Sequence, residues 1–138
     1  MKKKFESKAA NGHIRIEENQ WAEILAKGNA FASMLLLQDQ KLCAVCHEIE
    51  GALNAGKITV EQAKFFAAGL GGRIDAVLEM LGEAEEGFKA KAEFVKLKEK
   101  LEKPENGKAG LDSLKKLAGQ IHLASHLLCD ELHEKIMK

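Results

Sequence analysis

The sequence predicts an all-α protein: one domain over residues 1–138, folded as a four-helix up-down bundle with a short N-terminal arm or β-hairpin. Three observations carry this. Ala, Leu, Lys and Glu dominate, β-branched residues are sparse and there is one proline, a mixture that favours helix over strand. Apolar residues recur every three to four positions through four long stretches. Short turn-forming segments separate those stretches.

Residues 1–16 form the arm. Asn11-Gly12 is a hairpin signal and His13-Ile14-Arg15-Ile16 alternates as a strand does. A helix over about 17–54 follows, on the seam Trp21, Ile24, Gly28, Phe31, Leu35, Gln38, Leu42, Val45, Ile49 and Ala52. Gly28 sits mid-seam, which points to a close neighbour or a bend. Gly56 is placed to end this helix in the left-handed conformation. Thr59-Val60-Glu61-Gln62 has the capping-box form and starts a second helix over 59–82. Gly69-Leu70-Gly71-Gly72 within it lacks the lysine, hydroxyl residue and preceding strand of a phosphate loop, so it reads as a close-packing or kinking segment. The third helix, 84–103, is dense in charge, with Glu85 and Lys89 as a supporting pair, and reads as lightly anchored. The fourth, 111–136, carries Leu114, Leu117, Ile121, Leu128 and Leu132 on one face, with Asp112 or Ser113 as its cap.

Charge and length exclude several roles. Lys plus Arg equals Asp plus Glu, 21 against 21, so the basic excess of a nucleic-acid binder is missing from the total. The most apolar region, residues 30–45, is interrupted by Gln38-Asp39-Gln40-Lys41, too soon for a membrane span. No apolar run follows the N-terminal lysines, and three cysteines make no disulfide framework. The expectation is a cytoplasmic protein that binds neither nucleic acid nor membrane.

Two clusters hold the residues able to do chemistry. Cys43-Ala-Val-Cys46-His47 lies in the first helix, where Asp39, Cys43, Cys46, His47 and Glu50 share a face at spacings of three and four. His122, His126, Cys129 and His133 lie in the last, within an arc of roughly 60° at about 100° per residue. With the two helices antiparallel, Cys43 comes level with His122 and Asp39 with His126. Thiolate and imidazole donors suit zinc or a similar divalent metal, and Cys43, His47, His122 and His126 would close a tetrahedron. Taken singly, each residue has an ordinary alternative: Cys46 as a small core side chain at the seam edge, Cys43 and His47 facing sideways, the last-helix histidines on its border.

Cys43-Ala-Val-Cys46-His47 also resembles the Cys-x-x-Cys-His haem-attachment motif of c-type cytochromes. The resemblance covers five residues and implies Cys43 and Cys46 as attachment points and His47 as axial ligand. Phosphotransfer bundles resemble one another in a histidine followed shortly by Lys-Gly, whereas His122 here precedes Leu123-Ala124-Ser125. Di-iron bundles need Glu-x-x-His on two helices, and no such pair exists. No Ser-His-Asp or Cys-His catalytic set is evident, so the chain reads as non-enzymatic and as needing no cofactor.

Leu35-Leu36-Leu37 cannot all face one core. With Phe31 and Met34, the outward Leu36 and Leu37 would make a patch for a protein partner or a second copy. The leading expectation is therefore an interaction or regulatory module that forms a homo-oligomer through the first helix, with a metal-binding bundle as the rival.

Overall fold

The computed structural model describes residues 19–84, 87–103 and 107–138. The expected N-terminal hairpin and the Glu85–Lys89 pair lie outside, or partly outside, those residues. Everything described is helix or the turns between helices. The helices are α1 (19–26), α2 (Ala30–Asn54), α3 (Val60–Gly82), α4 (Lys89–Leu101) and α5 (Gly107–Met137).

The first helix is broken where one continuous rod over 17–54 is expected. Gly28 adopts φ 69°, and Asn29 begins a new helix by accepting the Ala32 amide on its side chain at 2.9 Å. A non-glycine residue would be strained there by about 1–2 kcal/mol. A Cβ at Gly28 would meet no atom within 4 Å, so backbone conformation, and not close packing, explains the glycine. The break redirects the chain. Gln20 meets Cys129 and Asp130 while Glu23 meets His133, so contacts climb together along α1 and α5. Along α2 they run the other way, with Asp39 on Ser125 and Glu50 on His122.

Other local signals match. Thr59 and Gln62 form the reciprocal capping box. Gly56 ends α2 at φ 69°, and the Lys57 amide reaches back to the Ala52 carbonyl at 2.8 Å, the Schellman arrangement. The glycines at 69, 71 and 72 lie inside an unbroken α3, and a Cβ on any of them would meet nothing within 4 Å. Close approach therefore does not explain them, and nothing else in the structure does.

α4 starts later than expected, at Lys89, and its first turn is capped from a distance. Glu131 on α5 accepts the Lys89 amide at 2.7 Å and the Ala90 amide at 2.8 Å. With Ala90 and Phe94 fully buried and Leu97 and Leu101 nearly so, α4 is firmly anchored, contrary to the lightly held helix its charge suggests. α5 begins at Gly107, so Asp112 and Ser113 lie inside it and do not cap it.

α5 is the central element, touching α2, α3 and α4. Its face of Leu114, Leu117, Ala118, Ile121, Leu128 and Leu132 meets Leu35, Leu42 and Ile49 of α2 and Leu70, Ile74 and Val77 of α3 in one apolar core. At about 25 cal/mol per Å² of apolar surface, burial of these side chains is the main force holding α2 to α5. Leu36 belongs to that core, at 1% exposure, which corrects its expected outward position. Leu37 and Met34 stay exposed and Phe31 is half-buried, so the leucine run yields a smaller patch than its sequence suggests. Among the described residues, no helix is long and apolar enough to cross a membrane.

Candidate metal centre

The α2–α5 seam brings Cys43, His122 and His126 together. Cys43 and His47 sit one turn apart on α2, as His122 and His126 do on α5. Cys43 Sγ lies 3.9 Å from His126 Nε2. One donor atom from each of Cys43, His122 and His126 falls within 4.8 Å of the other two. Ligands at zinc bond lengths of about 2.3 Å to sulfur and about 2.0 Å to nitrogen stand about 3.5 Å apart in a tetrahedron. The observed Cys43–His126 separation needs a closure of only a few tenths of an ångström, within reach of a small χ adjustment.

His47 adjoins this set. Its ring centroid is 4.0 Å from that of His122, and His122 is 4.5 Å from His126, both edge-on. His47, His122 and Glu50 form a second group of donors within 4.8 Å of one another. Glu50 Oε1 stands 3.1 Å from His122 Nδ1. With the proton on Nδ1 donating to Glu50, the lone pair of His122 is on Nε2, the tautomer a metal ligand requires. Burial holds the His47 imidazole below its usual range; neighbouring His122 acts in the same direction and Glu50 opposes it. A neutral imidazole is the form that donates a lone pair.

Cys43 lies within reach of both His122 and His126, and Asp39 sits level with Ser125, one residue from His126. Cys43 meets His126, while Asp39 meets Ser125, whose hydroxyl donates to Asp39 Oδ1 at 2.7 Å. Cys43 is buried at 6% exposure and does not face sideways into water.

Three of the seven expected ligands stand apart from this cluster. Cys46, one turn from Cys43, points into the core at 0% exposure, and burial, with Cys43, Glu50 and Asp39 adding to it, pushes its thiol far above the usual range. Such a thiol resists the deprotonation that a ligand needs. Cys129 donates to Gln20 Oε1 at 3.4 Å, and His133 Nε2 is 2.8 Å from Glu23 Oε1. The fold-back of α1 takes both residues as its own partners. Sequence spacing placed them in the stripe because it could not foresee α1 lying there.

The contact of Cys43 with His126 is a thiol–imidazole pair, joining two of the four residues that the sequence groups as one tetrahedral set. Five surface clefts are lined by residues of α2, α3, α4 and α5 and of the turns beside them, none of them from this cluster. Glu50 and Asp39 are the residues whose part sequence reasoning underrated: both share the Cys43 face, but only the packed seam shows their partners. No known protein family matches the chain, and neither the characterised proteins nor the solved structures yield a match.

Proposed function

We propose that this protein is a non-enzymatic, metal-binding helical bundle that holds a zinc-class divalent ion between α2 and α5. Cys43, His122 and His126 supply three ligands, His47 is the fourth after a rotamer change, and Glu50 orients His122. The observation that carries the reading is the convergence of one thiol and two imidazoles from two helices, with the Cys43–His126 pair at 3.9 Å. Thiolate and neutral imidazole together suit zinc and its neighbours better than magnesium or calcium, which prefer oxygen. Ordinary core packing accounts for Cys46, but it does not by itself account for a carboxylate set on the Nδ1 of an imidazole in the same cluster.

The test is a zinc titration of chelator-treated protein against a chromophoric competitor. One ion per chain is expected, with affinity tighter than micromolar, and loss of at least a hundredfold in His122→Ala/His126→Ala. Wild-type protein that takes up no zinc under these conditions refutes the assignment.

A further inference from the structure

Asp39 and Ser125 are the buried polar side chains among the described residues, at 2% and 0% exposure. They are bonded to each other at 2.7 Å, and they adjoin the cluster on both helices. Asp39 precedes Cys43 by four residues on α2, and Ser125 precedes His126 on α5. Residues four apart on a helix hold their Cβ atoms about 5–6 Å from each other. The Ser125 bond offsets part of the cost of burying the Asp39 carboxyl group.

We propose that Asp39 is the charge-selecting residue of the α2–α5 metal site, its buried carboxylate favouring a divalent zinc-class ion over a monovalent soft ion such as Cu⁺. This rests on the metal-binding reading above. Neutral imidazoles add no charge, and Cys43 contributes one negative charge as a thiolate. A monovalent ion is neutralised by that thiolate alone, so an additional carboxylate in the interior leaves the site with an excess negative charge. A divalent ion is neutralised by Cys43 and Asp39 together. The attraction of a fixed carboxylate scales with the charge of the ion, so Asp39 strengthens binding of Zn²⁺ by twice the logarithm it does for Cu⁺. In the partly screened interior that difference is on the order of tenfold or more at one-turn separation. Asp39 acts through its charge and is a positioning residue, not a ligand.

The experiment compares Zn²⁺ and Cu⁺ affinities of the full chain, each by competition with a chelator of known affinity, in wild type, Asp39→Asn and Ser125→Ala. Asp39→Asn keeps an oxygen acceptor for Ser125 and removes the charge. The expected result is a fall in the Zn²⁺/Cu⁺ affinity ratio of about tenfold in Asp39→Asn, with the ratio unchanged in Ser125→Ala. Equal losses for both ions, or no loss for either, overturn the charge role and leave the metal-binding reading standing. A Ser125→Ala ratio that falls as far as that of Asp39→Asn also overturns it, because packing would then be the cause. Wild type that binds neither ion overturns both readings. Should Asp39→Asn fail to fold, Asp39→Ser gives the same ratio measurement with a smaller side chain.

Discussion

Replacing Glu131 with alanine removes both acceptors from the first turn of α4. The Lys89 and Ala90 amides are two of the four that a helix start leaves without an intrahelical partner, and α4 has no side-chain cap of its own. Losing a cap costs about 0.5–2 kcal/mol, and hydrogen bonds to a charged group lie in the upper part of that range. The Lys89 bond is exposed and the Ala90 bond half-buried, so water recovers part of the first loss. The expected destabilisation of Glu131→Ala is about 1.5 kcal/mol, and that of Glu131→Gln about half as much, since an amide keeps one oxygen acceptor. Urea unfolding followed by circular dichroism reads this as a lower midpoint at constant slope. Hydrogen exchange at the Lys89 and Ala90 amides should quicken before exchange elsewhere in the chain. A Glu131→Ala midpoint equal to wild type, with those amides still protected, would refute the reasoning that α5 caps α4.

Two further outcomes follow from the metal cluster. Glu50→Ala leaves the His122 tautomer unset and should weaken zinc binding by about 10–100-fold, whereas Glu50→Gln, which still accepts from Nδ1–H, should lose less; calorimetric titration of both variants checks this. Because His47 sits below its usual imidazole range, the unfolded chain binds a proton more readily than the folded one does. Stability is then fully present above pH about 6.5, the unfolded value, and falls as the pH drops through the lower folded value. In chelator-treated protein the urea midpoint should decline on acidification from neutrality, with a shallower decline in His47→Asn; parallel curves for the two would count against a half-buried, neutral His47.

What the sequence revealed was governed by local rules. The Thr59–Gln62 capping box, the Gly56 terminus and the apolar stripe of α5 depend on residues within a turn or two of each other, and all three are realised. Gly28 was conspicuous, but heptad spacing runs through it unbroken, since a period says which face is apolar and nothing about where the axis turns. The fold-back it causes then altered the fate of distant residues, assigning Cys129 and His133 to α1. Leu36 was misplaced for a related reason: a strict seam allows one buried stripe, and α2 is covered by both α3 and α5. The partners of Glu131 and Glu50 were not legible at all, because those contacts join residues 41 and 72 positions apart.

The pairing of Cys43 with His126 spans 83 residues, a stretch that contains α3 and α4 entire. An ion gripping both residues would act as a cross-link and would remove from the unfolded chain the freedom of everything between them. By the chain-entropy relation used for disulfides, closing a loop of that size corresponds to about 4.5 kcal/mol. α3 and α4, which contribute no ligand, would thus be held in place by an ion bound between α2 and α5, and their resistance to unfolding would report how much metal the surroundings supply.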